Sequence, residues 1–533
     1  MAMASSSSSL EPTVVSSPGK ALVAGGYLVL EPAYSGLVVS TTSRFYTVID
    51  SISDSDPPPS APDGPIQIRV RSPQFLDATW LYFVEFDGPD AVRVEQVLQN
   101  TGSASGSATT NKFVHLALQR TLALATQRRS AGTLQNSLGH GLDITIVGDN
   151  DFYSQRAQLA EQKLAPTLDS LEKLPAFNKT GVRLADVHKT GLGSSAALIT
   201  SLVSGLLLHL GVIPADSFLT EGGTEAASEG RKLAHNLSQY VHCLAQGKVG
   251  SGFDVSAAVF GSQLYTRFDP AVLAPLMSES APPNTPLDAI LSPSNKAWNY
   301  RVEPFKLPPQ TRLMLADVDA GSDTPSLVSK VLKWRKENPA EADALWTAID
   351  ALNMRLSRVL SGLTEREQST PTPYRKAVKY ISTIQGVQWL ANPNITANGN
   401  HAEFKAVIEA FVEARQISED IRDNMRKMGE LSGVPIEPPE QTALLDACVG
   451  IAGVIGGGVP GAGGYDAIWL LVCDPPNCPP AELPSTRVEH VWSTYKGLDV
   501  SPLLAAESVA KGVHVERLED VKGLGEVVRA HAP

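Results

Sequence analysis

The sequence predicts an α+β protein in two lobes, and three observations carry that expectation. Runs rich in β-branched and aromatic residues crowd the start of the chain, whereas a series of helix-like stretches fills its later part. A proline- and serine-rich stretch, Pro270–Asn295, lies between them and suits a domain junction. With 533 residues the chain has material for two or three domains. The expected division is a tail over 1–12, a first lobe over 13–295 and a second lobe over 296–533.

After the Ser5–Ser9 tract, Thr13–Ser17 opens a strand and Pro18-Gly19-Lys20 makes a turn. Ala21–Leu30 is strand-like again, interrupted by Gly25-Gly26, and Leu37–Ile49 reads as a further strand. Ser51–Pro65 and Thr101–Thr110 read as loops. Asn111–Gln127 shows helical apolar spacing at Phe113, Leu116, Ala117 and Leu124, and Leu142–Val147 is a short strand. Val182–Val187 is expected as a strand running into a glycine loop. Beyond it, Glu225–Ala245 is expected to be helical and Phe253–Phe260 extended or mixed. Arg312–Val318 reads as a strand, and Thr324–Lys336, Pro339–Leu363, Thr372–Ala391 and His401–Met428 form the helical series. Asn338 before Pro339 is a good start for the second of these. Val449–Gly458 and Ala467–Asp474 suggest a closing sheet.

Composition narrows the function. Hydrophobic content of 43% and charged content of 19% fit a globular protein. The formal charge of −12 argues against general nucleic-acid binding, so any phosphate ligand must find local cations. The four cysteines lack zinc spacing and read as reduced, intracellular residues. No apolar run approaches membrane-spanning length, and the serine tract lacks the features of a secretory signal. A cytoplasmic enzyme is the expectation.

The most informative stretch is Lys189-Thr190-Gly191-Leu192-Gly193-Ser194-Ser195-Ala196-Ala197. Gly191 and Gly193 permit torsions and close approaches that a side chain blocks. Ser194 and Ser195 fall where a helix cap belongs, and Ala196–Leu210 is almost wholly apolar or small before Gly211 and Pro214 stop it. A helix start offers unpaired N–H groups and a partial positive charge, which favour a polyphosphate. There is no Gly-x4-Gly-Lys-Ser/Thr sequence, so a P-loop is not supported.

Together with two distant partners, this stretch resembles the GHMP kinases. The first partner is Ser17-Pro18-Gly19-Lys20-Ala21-Leu22-Val23-Ala24-Gly25-Gly26-Tyr27, and the last is Gly461-Ala462-Gly463-Gly464-Tyr465-Asp466-Ala467. The motifs stand in family order and span nearly the whole chain. His188–Gly193, Ala245–Asp254 and Gly321–Pro325 resemble the phosphomevalonate kinase branch of fungal type. Two departures stand out. Val187 takes the place where the second motif commonly has proline, and Gly25-Gly26-Tyr27 stands where mevalonate kinase usually has Gly-Glu-His. The metal-binding glutamate of mevalonate kinase also has no clear counterpart ahead of Asp254.

The resemblance implies a first lobe like ribosomal protein S5 domain 2 and a ferredoxin-like second lobe. It implies transfer of the γ-phosphate of ATP to (R)-5-phosphomevalonate, with Mg²⁺ bridging donor phosphates. Lys20 and Asp254 are the implied catalytic pair. Lys189, Gly191, Leu192, Gly193, Ser194, Ser195, Ala196 and Ala197 would hold the ATP phosphates, with the Ser194 and Ser195 hydroxyls toward Mg²⁺. Tyr27, Lys248, Ser251, Ser322, Thr324, Gly461, Gly463 and Gly464 would meet the acceptor. A phosphate monoester has a second pKa near 6, so the attacking oxygen is mostly deprotonated at neutral pH and Asp254 is expected to orient more than to abstract a proton. The partner is the small-molecule substrate, with no nucleic acid or membrane, in a monomer or weak homodimer. Mevalonate kinase, diphosphomevalonate decarboxylase and a catalytically silent sensor of the same fold are the competing readings.

Overall fold

In the computed structural model the described residues are 11–52, 65–88, 91–97, 110–139, 141–219, 224–277, 286–318, 324–391, 402–510 and 512–529. The strands among them are β1 (Thr13–Ala24), β2 (Ser35–Ser51), β3 (Ile66–Arg71), β4 (Thr79–Phe86), β5 (Val92–Val97), β6 (Leu142–Gly148), β7 (Gln263–Thr266), β8 (Arg301–Pro304), β9 (Thr311–Val318), β10 (Val454–Gly458), β11 (Ala467–Cys473), β12 (Val500–Leu503) and β13 (His514–Val515). A nine-stranded sheet runs β13-β1-β2-β6-β3-β4-β5, with β7 on β2 and β8 on β7. A four-stranded sheet runs β10-β11-β9-β12. The fold is α+β, as the sequence predicts.

Burial patterns explain the layers. β1 is buried along nearly its whole length, because the helices Ser194–His209 and Phe253–Phe260 cover it. In β9, Leu313 and Leu315 face one core while Met314, Ala316 and Val318 face another, the period of two expected of a strand buried on both sides. The first of these cores is continuous, running from Val15 and Leu202 through Leu360 and Phe411 to Trp469. The helices Pro339–Ser369 and Ala402–Ser432 pack together, and the second lies on β10.

Several elements depart from expectation. Pro18-Gly19-Lys20 is not a turn between strands but a bulge inside β1, where the register shifts between Pro18 and Lys20. The bulge frees the Lys20 backbone N–H, which donates to Leu192 O at 2.9 Å. Gly19 is required there, since a Cβ would come within 2.9 Å of Thr41 Oγ1 and 3.0 Å of Leu192 O. Past Ala24 the chain forms a short 3-10 turn, Gly26–Leu30, rather than further strand. Val182–Val187 is irregular, holding only an isolated bridge from Arg183 to Leu76, because its exposed residues have no sheet to join. Phe253–Phe260 is an α-helix that buries Val255, Ala258 and Val259. β8 and β13 both belong to the first sheet although they follow residue 295, so sheet membership does not track the expected division. The loops Ser51–Pro65 and Thr101–Thr110 lie mostly outside the described residues. Among the described residues, no helix is long and apolar enough to cross a membrane.

Candidate active site

The glycine loop meets its helix without a side-chain cap. Gly193 is the N-cap in a left-handed conformation, φ 79°, so Ser194 and Ser195 are the first helical residues and not the cap. Their hydroxyls are thereby released from capping duty. Ile199, Leu202, Val203 and Leu206 anchor the helix in the core, which fixes its N-terminal amides in space. Ala196 and Ala197 are buried; the Ala197 N–H donates to Gly193 O at 3.1 Å, which leaves the Ala196 N–H as the candidate donor of the two, so the expected Ala197 contact to the phosphates is not supported. Leu192 is buried too, and its carbonyl is occupied by Lys20 N.

Lys20 leaves the bulge toward this loop. Its Nζ donates to Gly191 O at 2.7 Å and lies 5.5 Å from the centre of the Phe253 ring. Burial holds the ammonium below the ordinary lysine value, and the charge of Asp254 pulls it partly back. Asp254 occupies the first turn of the Phe253–Phe260 helix, which also begins at a left-handed glycine, Gly252. Its Oδ1 accepts from Val255 N at 2.9 Å. A Cβ on Gly193 would sit 3.1 Å from Lys20 Cε and 3.8 Å from Asp254 Cβ, so both side chains flank the same glycine.

A cavity of about 530 Å³ opens on this point. Lys20, Tyr27, Gly191, Gly193, Lys248, Ser251, Asp254, Gly461 and Gly463 line it, from all three glycine motifs. Arg267 stiffens one wall by donating to Val249 O at 3.0 Å and to Gly250 O at 2.5 Å. Across the cavity the Tyr27 hydroxyl donates to Ala462 O at 2.6 Å, tying the first motif to the last. Gly463 is needed for packing, because a Cβ would come 2.1 Å from Ile436 O. Gly464 stands behind it, with its N–H on Ile436 O at 2.9 Å.

Lys189, Ser194 and Ser195 line a neighbouring cavity of about 420 Å³ with Trp80, Phe113, Leu184 and Leu198. The two cavities therefore meet at the start of the Ser194–His209 helix. Ser322 lies outside the described residues, and Thr324 begins the Thr324–Glu337 helix, whose Val328, Ser329 and Leu332 reach the larger cavity. Sequence reasoning passed over His242, Gln239 and Gln246, which line the larger cavity from the Glu225–Gln246 helix. The available signal was spacing: Gln239, His242 and Gln246 repeat at three and four residues along one helix face.

Among the described residues no cluster of three or more His, Cys, Asp or Glu could cage a metal. The donor set instead suits a cation carried in by phosphates. Mg²⁺ keeps waters and takes few protein oxygens, and the Ser195 hydroxyl and Asp254 carboxylate both lie near one nitrogen, His242 Nε2, at 3.1 Å and 3.8 Å.

No family model matches the chain. It is 37% identical over 499 residues to a peroxisomal phosphomevalonate kinase of Arabidopsis thaliana, spanning 91% of this chain and 93% of the relative. It is 34% identical over 550 residues to a phosphomevalonate kinase of Aspergillus fumigatus, spanning 96% and 98%. In fold it is similar to the solved Lin0012 protein of Listeria innocua, with a TM-score of 0.53 at 15% identity, over 95% of this chain and 99% of that one. By its identity to full-length relatives, this chain belongs to the phosphomevalonate kinase family.

Proposed function

We propose that the protein transfers the γ-phosphate of ATP to (R)-5-phosphomevalonate, giving (R)-5-diphosphomevalonate and ADP. The carrying observation is that Lys20 and Asp254, far apart in sequence, flank Gly193 at the start of an amide-presenting helix. Family membership sets the substrate class. The smaller cavity, with Trp80, Phe113 and Leu198, suits the adenine, and the larger one suits the acceptor.

In this reading the Ser194–Ala196 amides hold the nucleotide phosphates. Lys20, tethered by Gly191 O, offers its remaining N–H groups to the group in transfer. Asp254 orients Lys20 and the attacking phosphate oxygen. Ser194, Ser195 and Asp254 would hold Mg²⁺, which supplies neutralisation of the donor phosphates. Tyr27 keeps the first and last motifs in register around the acceptor, and Lys248 and Ser251 are candidate acceptor contacts.

The test is ADP release with mevalonate, 5-phosphomevalonate and 5-diphosphomevalonate offered in turn. Turnover confined to the monophosphate is expected. Turnover of mevalonate alone, or nucleotide binding without ADP release from any acceptor, would overturn the proposal. The cytosol is the proposed compartment, supported by four free cysteines, three of them buried. Because the Arabidopsis relative is named peroxisomal, a tagged chain followed against a peroxisomal marker checks it. Sedimentation checks the proposed monomer or weak homodimer.

A further inference from the structure

His242 belongs to no motif, yet it stands where the two cavities meet. It is buried on the Glu225–Gln246 helix and lines the acceptor cavity, while Ser195 lines the nucleotide cavity. The two side chains touch across the divide: Ser195 Oγ lies 3.1 Å from His242 Nε2. Gln246, one turn along the same helix, points its Nε2 at the same ring nitrogen, also at 3.1 Å. With the Gln246 amide nitrogen facing the ring, His242 Nε2 is assigned as the acceptor and the ring proton to Nδ1. Ser195 must then donate its hydroxyl proton to His242. Asp254 Oδ2 is 3.8 Å from that nitrogen, beyond hydrogen-bond reach, and all three neighbours approach Nε2 alone. This is not a nucleophilic Ser-His-Asp relay, in which the acid binds the opposite ring nitrogen.

The consequence lies in the serine oxygen. A hydroxyl whose proton is committed to one side presents its lone pairs to the other, as a hard cation requires. Gly193 rather than a serine takes the cap position, and among the described residues the hydrogen-bond partner of the Ser195 hydroxyl is His242. We propose that His242 is a positioning residue that turns the Ser195 oxygen toward the cation on the nucleotide phosphates. The idea rests on the kinase reading above and adds to it a residue that acts on the cation through Ser195.

Titration calorimetry with a non-hydrolysable ATP analogue, with and without Mg²⁺, tests it. For His242→Ala the Mg²⁺-loaded analogue should bind about tenfold or more weakly, the usual size of lost outer-shell support, while metal-free binding holds. His242→Gln, whose carbonyl can still accept from Ser195, should recover most of the loss. It also serves where the alanine variant does not fold. In steady state the variants should raise the Mg²⁺ concentration for half-activation. An equal fall with and without Mg²⁺ would mark a purely structural residue and overturn the proposal, as would no fall in either. If the wild type itself binds no nucleotide in either condition, the kinase reading fails first and takes this one with it.

Discussion

Lys20 and Arg422 are cations drawn out of bulk water in the same chain, and their surroundings push them in opposite directions. Around Arg422 burial works against the charge, but hydrogen bonds and charge from Glu437, with Glu419 and Asp446, outweigh it and hold the guanidinium above its ordinary value. Its Nε and Nη2 reach the two Glu437 oxygens at 3.2 and 2.7 Å, and Nη1 reaches Glu419 at 2.9 Å. Arg426 adds a second cation to Glu437 at 2.7 Å. Around Lys20 burial wins: the ammonium sits below its ordinary value, with one carbonyl, one ring face and the charge of Asp254 for company. A neutralised network is complete without a ligand. An under-neutralised cation on a cavity wall is a place for an arriving anion.

Replacing each cation should separate the two cases. Lys20→Met is expected to lower kcat by about 10³-fold or more, the scale for losing a preorganised charge at developing negative charge. Its stability effect has a definite sign. A folded-state value below the unfolded one means stability is present only above the unfolded value and is lost as pH falls, so at neutral pH the charged Lys20 is a cost. Methionine removes that cost, and thermal melting at neutral pH should show no loss of stability beside the lost ADP release. Arg422→Met should do the reverse. Glu437 is left buried without its main partner, and denaturant titration should show a loss of about 3–5 kcal/mol with little change in kcat per folded molecule.

Two smaller effects sharpen the contrast. Asp254→Asn should lower kcat by about 10²-fold. If Asp254 takes a proton, the ratio to wild type worsens below pH ~6.5, where the acceptor phosphate gains its second proton. A flat ratio across a pH–rate profile assigns it to orientation alone, and full activity removes it from the site. Tyr27→Phe loses one neutral hydrogen bond to Ala462 O and should reduce stability by about 1 kcal/mol in thermal melts.

The parts of this molecule that could be read from its sequence are those where the backbone itself is specialised. Gly191, Gly193 and Gly461 adopt left-handed torsions that few other residues tolerate, so the motifs announce themselves. Asp254 follows such a glycine, Gly252, by two residues, whereas Lys20 follows Gly19, where close packing and not torsion excludes a side chain. The Phe253–Phe260 helix was not legible: its eight residues are too few for a helical period, and Val255 and Val259 mimic a buried strand. Ser194 and Ser195 looked like caps because composition cannot reveal that Gly193 takes that position. The spacing of Gln239, His242 and Gln246 marks only a polar helix face; the contact of His242 with Ser195, 47 residues away, comes from the packing of two helices and is not legible in the sequence. The return of β13 to β1 is equally non-local, joining His514 to Ser16.

The most direct measurement is a ³¹P NMR time course of ATP with 5-phosphomevalonate, run beside a thermal melt, for wild type and Lys20→Met. Diphosphate resonances should grow with the wild type and stay absent with the variant, which melts no lower. Product forming at the wild-type rate in Lys20→Met would contradict the assignment of that ammonium to the group in flight.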